Sequence, residues 1–124
     1  MASTLDTVTV DCADPRRLAD FWAASLAWVV DGVDDEDAFV RPPEGGPGLL
    51  FQKVPEPKTV KNRIHLDLRP PDSMAAEVDR SQALGATIQQ RVDVEGSFWT
   101  VMLDPEGNEF CILRGPQDGW SAEG

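Results

Sequence analysis

The order of hydrophobic and polar residues along the chain follows two periods. Two segments, 15–26 and 73–84, have apolar residues at the three- and four-residue spacing of an amphipathic helix. Alternating residues, or short apolar runs bounded by turn residues, predict strands in most of the rest. These predicted strands cover residues 5–12, 28–30, 38–41, 49–54, 63–68, 87–94, 98–103 and 109–113.

Both predicted helices have recognisable first residues. Asp14 precedes Pro15, and an aspartate cap followed by proline at the first helical position is a strong helix start. Asp72 or Ser73 caps the second helix, and Gly85 ends it after Leu84.

The element order repeats, because strand, helix and three strands occur twice. One shift of 58 residues aligns three pairs, Asp14 with Asp72, Thr7 with His65, and Thr9 with Asp67. The side-chain parity of the two first strands then agrees, which favours an internal repeat. We predict an α+β fold of two βαβββ modules whose curved mixed sheets enclose a concave cavity, with the helices outside.

The repeat also predicts how a single domain over residues 1–124 is divided. Module 1 covers about residues 5–54, a polar linker covers 55–62, and module 2 covers about 63–113. The tail, 114–124, is expected to be loosely held except where Trp120 docks.

Composition excludes several classes of partner. The chain has 22 acidic and 11 basic residues, a net charge of −11, which argues against binding to nucleic acid or to an anionic membrane. It has no apolar run long enough to cross a bilayer and no signal-peptide pattern. Cys12 and Cys111 lie in apolar runs and form no metal-binding cysteine motif. We therefore expect a cytoplasmic protein.

The predicted strand at 63–68 carries the single histidine of the chain, His65. Alternation places Ile64, Leu66 and Leu68 on one face, and His65, Asp67 and Arg69 on the other. The polar face is where we expect function. Asp67 either pairs with an arginine, Arg63 or Arg69, or takes part in the chemistry.

Three sequence stretches point to one family. The paired βαβββ pattern, with R-I-H-L-D-L at 63–68, A-L-G-A at 83–86 and D-P-E-G-N-E-F at 104–110, resembles the glyoxalase/bleomycin resistance protein family. This family belongs to the vicinal oxygen chelate superfamily, and the likeness is greatest to its small glyoxalase-like domain proteins. It covers about residues 5–113. The superfamily includes lyases, epimerases, dioxygenases, thiol transferases and drug-binding proteins, so the likeness implies a fold and not one reaction.

The resemblance also implies a metal site. Metal-dependent members hold a divalent ion with histidine and glutamate or glutamine from both modules, and the matching residues are His65, Glu109 and Gln52. Glu109 would also be the catalytic carboxylate. Such a set suits zinc, iron, manganese or nickel. Thr7 stands where a ligand histidine is expected, and either Gln52 or Phe51 faces the cavity, so one divalent metal and no metal are both open.

We therefore expect a protein that binds a small, partly aromatic or cationic molecule between its modules, without a complete metal site. The alternative is a metal-dependent lyase, isomerase or dioxygenase that uses His65 and Glu109. Sheet edges of such modules are often covered by a second copy, which predicts a homodimer. The candidate ligand-binding residues are Thr7, Thr9, Asp67, Trp99 and Cys111.

Overall fold

The computed structural model of the protein describes residues 1–123 and divides into two compact units, residues 1–58 and the residues from Thr59 onward. Each unit holds one α-helix and one four-stranded mixed sheet. The predicted α+β class is confirmed. None of the helices in the described part of the chain is long and apolar enough to cross a lipid bilayer.

Unit 1 contains β1 (Thr7–Cys12), α1 (Pro15–Leu26), β2 (Val29–Val33), β3 (Asp37–Arg41) and β4 (Gly48–Lys53). Unit 2 contains β5 (Asp67–Leu68), α2 (Met74–Ala83), β6 (Thr87–Val94), β7 (Ser97–Leu103) and β8 (Glu109–Ile112). The strand orders correspond, β1-β4-β3-β2 in the first sheet and β5-β8-β7-β6 in the second. In each sheet the first strand pairs with the last in parallel, and the other pairs are antiparallel.

Helix α1 has the predicted bounds because its first turn is capped locally. The Asp14 carboxylate accepts a hydrogen bond from the Arg17 N–H at 3.2 Å, and Pro15 occupies the first helical position. The helix buries Leu18 and Trp22, among other residues, on the side that packs against β3 and β4.

The register of β4 decides which of two neighbouring residues enters the core of unit 1. Phe51 is fully buried and is aligned with Ala38 of β3, which is buried as well. Gln52 is exposed and lies on the opposite face of the sheet, because side chains alternate along a strand. Thr7 and Thr9 share that second face, since their partners in β4 alternate in step with Gln52.

Strand β2 extends further into the acidic segment than the alternation predicts. The prediction ended it at Val30, whereas the strand runs to Val33. Asp31 accepts a charge-assisted hydrogen bond from Arg41 of the neighbouring strand at 2.9 Å, which holds this end against β3. A polar residue that finds a cross-strand partner can continue a strand that periodicity alone would end.

The predicted strand at 63–68 is mostly irregular backbone. Only Asp67 and Leu68 pair with β8, and His65 lies just before the strand. Ile64, which was expected to face the core, is 78% exposed. The prediction was wrong here because the alternation of side chains does not show whether a neighbouring strand is present. A strand needs a partner whose backbone forms hydrogen bonds with it, and β8 pairs with two residues of this segment only.

Helix α2 begins at Met74 with Ser73 as its cap, whose hydroxyl accepts a hydrogen bond from the Ala76 N–H at 3.1 Å. Of the two predicted caps, Asp72 is therefore excluded. The predicted repeat aligned Asp14 with Asp72, a shift of 58 residues. The observed caps, Asp14 and Ser73, are 59 residues apart, so the second helix begins one residue later than the predicted shift implies.

The tail was expected to be loosely held, but it is fastened to the start of α2. The Asp118 Oδ2 atom accepts hydrogen bonds from the Met74 N–H at 2.6 Å and from the Gly115 N–H at 2.9 Å. The Gln117 N–H donates to the Asp72 carbonyl at 3.0 Å. One carboxylate thus satisfies two backbone donors, one of them at a helix N-terminus, where a negative charge is favourable.

We expect Asp118→Ala to destabilise the protein by about 1–3 kcal/mol, because it removes an ionised acceptor from two backbone N–H groups. The measurement is the free energy of unfolding in urea. Asp79→Ala is the matched control, since Asp79 is an exposed aspartate on α2, and a change within about 0.5 kcal/mol is expected there. Equal effects of the two substitutions would contradict the role given to Asp118.

Candidate functional site

A cavity of about 440 Å³ lies within unit 2. The lining comes from the segment before β5 and from β5, β6, β7 and β8, and α2 contributes nothing to it. The lining residues are Lys61, His65, Asp67, Gln89, Gln90, Trp99, Val101, Glu109, Cys111 and Leu113. Helix α2 packs on the other face of the sheet, where its Met74 contacts the buried Thr100 hydroxyl. The cavity therefore lies on the face that the helix leaves open.

Strand register brings the polar lining residues together. Cys111 of β8 is aligned with Asp67 of β5 on one side and with Val101 of β7 on the other, so the three side chains share a face. The Cys111 N–H donates to the Leu66 carbonyl at 2.8 Å, which fixes the chain immediately after His65. The parallel pairing of β5 with β8 is thus what brings the histidine to this face.

A β-bulge widens the contribution of β6. Ile88 pairs with Met102 and Gln90 with Val101, so Gln89 is an extra residue without a partner of its own in β7. A bulge of this kind turns neighbouring side chains towards the same side, and both Gln89 and Gln90 line the cavity.

The histidine lies beside two other potential ligands. The His65 Nδ1 atom is 3.2 Å from Asp67 Oδ1 and 4.0 Å from Cys111 Sγ. One ligand atom from each residue lies within 4.8 Å of the others. The His65 and Asp67 side chains are 42% and 50% exposed, whereas Cys111 is buried. These three residues, which we call the His65–Asp67–Cys111 cluster, are close enough together to bind one metal ion.

Cys111 is a neutral thiol in this setting. Burial, and then the nearby Asp67 carboxylate, raise the pKa of the Cys111 thiol to about 11, while the Lys61 ammonium acts in the opposite sense. A nucleophilic cysteine needs a lowered pKa. The arrangement therefore does not favour attack by a thiolate.

Glu109 is a buried carboxylate and not a solvated residue at the rim. Its side chain is 7% exposed, and its Oε1 atom accepts a hydrogen bond from the Asn62 N–H at 3.0 Å. This contact ties the segment before β5 to the first residue of β8. Glu109 and His65 line the same cavity, as the sequence suggested, although Glu109 is not a member of the His65–Asp67–Cys111 cluster.

Asp67 forms no ion pair with Arg63 or Arg69, which was one of the two alternatives that the sequence left open. Within residues 1–123 its carboxylate contacts the side chain of His65, at 3.2 Å. The Arg69 guanidinium donates to the Arg114 carbonyl at 2.7 Å and lies 4.0 Å from the centre of the Trp120 ring. Trp120 therefore docks on Arg69 and draws that side chain towards the tail.

The other predicted residues belong to unit 1. Thr7, Thr9 and Gln52 lie on the face of the first sheet opposite α1, with Thr9 and Gln52 exposed. Thr7 donates a hydrogen bond from its hydroxyl to Asp6 at 2.8 Å. Their proposed roles as ligand-binding or metal-binding residues stay predictions.

Sequence reasoning missed part of the lining. Val101 and Leu113 share the parity of Trp99 and Cys111, so alternation along β7 and β8 could have found them. The alternation pattern could not have identified Gln89 or Lys61. Gln89 lies in the β-bulge, and Lys61 lies in an irregular segment.

The donors in unit 2 suit a divalent ion in type, since imidazole, carboxylate and thiolate are all ligands of first-row metals. They form two alternative sets that share His65. The resemblance implies His65 with Glu109. The structure groups His65 with Asp67 and Cys111 instead.

Comparison with known proteins agrees with the fold. The model of the glyoxalase-like domain family matches residues 7–113. No curated protein sequence matches the chain.

Three solved structures illustrate the likeness. A glyoxalase-related enzyme from Fulvimarina pelagi is 17% identical, with a TM-score of 0.71 over 93% of this chain and 90% of that one. A glyoxalase/bleomycin resistance protein/dioxygenase family enzyme from Burkholderia phytofirmans PsJN is 18% identical, with a TM-score of 0.69 over 89% and 97%. The fosfomycin resistance protein FosX from Listeria monocytogenes, complexed with manganese(II) and a dihydroxypropylphosphonic acid, is 17% identical, with a TM-score of 0.69 over 93% and 92%. At these identities the likeness establishes the fold, and the family model establishes the family: the chain belongs to the glyoxalase-like domain family of the vicinal oxygen chelate superfamily.

Proposed function

We propose that the protein binds a small, partly aromatic or cationic molecule in the unit 2 cavity and does so without the metal set that the resemblance implies. The observation that carries this proposal is the lining, in which the Trp99 ring shares one cavity with the carboxylates of Asp67 and Glu109. The volume of about 440 Å³ lies within the range of about 300–1,000 Å³ that is usual for small-molecule sites. The FosX complex supports only the coarser part of the proposal, the binding of a small organic molecule, since that structure also holds manganese(II).

The charge of the lining favours a cation over an anion. Two carboxylates, Asp67 and Glu109, face one ammonium group, that of Lys61. Glu109 is buried, and the attraction between a carboxylate and a cationic ligand is stronger in a buried site than in water. A ligand with an ammonium group and a flat ring would place the ring or the cation on Trp99, and the cation near a carboxylate.

A metal-dependent lyase, isomerase or dioxygenase is the second candidate, because His65 and buried Glu109 line the same cavity. His65 and Glu109 would hold the ion, and the bound ion would supply a Lewis acid. This candidate requires that His65→Ala and Glu109→Ala each abolish stoichiometric binding of a divalent metal. Retained binding in either variant counts against it.

We also propose that the protein is a cytoplasmic homodimer. Two strands at sheet edges, β2 and β6, carry exposed apolar residues that a second copy would cover. These residues are Val29, Val33, Ile88 and Val94. Sedimentation at micromolar concentration is expected to give twice the chain mass of 13.6 kDa, and a monomer mass would contradict the dimer.

Phenethylammonium and 3-phenylpropionate form a probe pair of similar size and opposite charge. With chelator present, we expect the ammonium compound to raise the unfolding temperature and the carboxylate to leave it unchanged. Trp99→Ala should weaken binding of the ammonium compound by roughly 2- to 30-fold, as expected for loss of a cation–π contact worth about 0.5–2 kcal/mol.

Glu109→Gln should weaken the same probe while keeping the hydrogen bond from Asn62, because the amide oxygen can still accept. Glu95→Gln is the matched control, since Glu95 is exposed in the β6–β7 turn and does not line the cavity. If the ammonium compound binds to the Trp99→Ala and Glu109→Gln variants as tightly as to the unaltered protein, the ligand lies elsewhere and the proposal is contradicted.

The state of Cys111 gives a separate prediction. Because its pKa is about 11, the rate of alkylation by iodoacetamide should rise about tenfold per pH unit from 7 to 9.5 without levelling off. Asp67→Asn removes one of the causes that raise the pKa, so the curve should bend at lower pH. Peptide mass spectrometry separates Cys111 from Cys12. A plateau near pH 8.5 in the unaltered protein would mean that the thiol is unperturbed.

A further inference from the structure

The ligand atoms of the His65–Asp67–Cys111 cluster lie close to the separations that a small tetrahedral ion requires. Zinc bonds of about 2.0–2.3 Å to nitrogen, oxygen and sulfur imply ligand atoms about 3.3–3.8 Å apart. The two separations from His65 Nδ1 are 3.2 Å to Asp67 and 4.0 Å to Cys111, one just below this range and one just above. Small rotations of side chains would therefore bring all three atoms onto one ion.

The backbone under the cluster is already fixed. Asp67 and Cys111 are direct partners in the β5–β8 ladder, and the Cys111 N–H bonds to the Leu66 carbonyl. Cys111 is buried and held in place, whereas the His65 and Asp67 side chains are about half exposed and can adjust. The site thus combines one fixed ligand with two adaptable ones, and it needs no movement of the sheet.

We propose that the His65–Asp67–Cys111 cluster binds one zinc ion, or an ion of similar preference, through His65 Nδ1, an Asp67 carboxylate oxygen and Cys111 Sγ. All three residues line the cavity, so a molecule in the cavity could supply the fourth ligand of a tetrahedral ion. A thiolate favours zinc over magnesium, calcium or manganese. On binding, the ion replaces the Cys111 thiol proton, which passes to the buffer. This site goes beyond the proposed function, which is tested with chelator present because an ion on Asp67 would remove one of the two carboxylates that attract a cationic ligand. It differs from the set that the resemblance implies because Glu109 is not a ligand.

Cobalt(II) is the probe, because a thiolate on cobalt gives a charge-transfer absorption in the near ultraviolet that nitrogen and oxygen ligands do not give. Untagged, chelator-treated protein is titrated with cobalt(II) and then with zinc(II). We expect one ion per chain, the charge-transfer band, and displacement of cobalt by zinc. Absence of the band with cobalt bound would show that Cys111 is not a ligand, and absence of any bound ion would overturn the site altogether.

Three substitutions test the ligands one at a time. Cys111→Ser should abolish the band, and His65→Ala and Asp67→Asn should each weaken zinc binding by at least about tenfold, the smallest loss usual for groups that only support a ligand. The matched controls are Cys12→Ser for the thiol and Asp79→Asn for the carboxylate. Loss of the band in Cys12→Ser would contradict the proposal. If Cys111→Ser fails to fold, the variants of the half-exposed His65 and Asp67 still decide the matter.

Glu109→Gln separates this site from the one that the resemblance implies. Retained metal binding and an unchanged band are expected, whereas loss of metal in Glu109→Gln with retention in Cys111→Ser would overturn the proposal. Trp99→Ala should bind zinc normally. The two proposals can therefore be told apart: the protein can bind the ammonium probe without binding zinc, or bind zinc without binding the probe.

Discussion

Unit 2 depends on a parallel ladder of two residues. Only Asp67 and Leu68 pair with β8, yet this contact holds the irregular segment that carries His65 against the strand that carries Glu109 and Cys111. The hydrogen bonds of this ladder include those from the Cys111 N–H to the Leu66 carbonyl and from the Leu113 N–H to the Leu68 carbonyl, and the bond from the Asn62 N–H to the Glu109 carboxylate supports it from outside the ladder. A ladder this short has little stability of its own, so the neighbouring contacts are needed to keep the histidine in place.

Local signals made most of the fold predictable. Asp14-Pro15 determined the start of α1, and the bounds of β6 were predicted correctly because the ladder to β7 runs from one end of the strand to the other, interrupted only by the bulge at Gln89. The strand at 63–68 could not be read in the same way, since its pairing depends on a segment more than forty residues away. The tail was likewise misjudged, because its anchor is a contact between Asp118 and Met74 that no local pattern announces.

Part of the cavity lining was predictable, whereas the roles of the lining residues stay predictions. His65 and Glu109 followed from the resemblance, and both line the cavity. That Asp67 faces His65, and not an arginine, follows from competition, since Arg69 is engaged by Arg114 and Trp120. A proton on His65 Nδ1 can be shared with the Asp67 carboxylate, and a metal on the same atom would take its place. His65 Nδ1 can therefore either form a hydrogen bond to Asp67 or bind a metal ion, and both are consistent with the sequence.

The docking of Trp120 on Arg69 affects how mutational data on this protein should be read. Arg69 directly follows the two ladder residues, and the residues around Trp120 are themselves fastened to α2 through Asp118. A substitution in the tail can therefore displace Asp67 with every cavity residue unchanged. In a saturation scan scored by ligand binding, positions 115–120 would register as functional although none of them touches the ligand. A parallel measurement of protein abundance or folding would distinguish these tail residues, which act through the structure, from residues that contact the ligand.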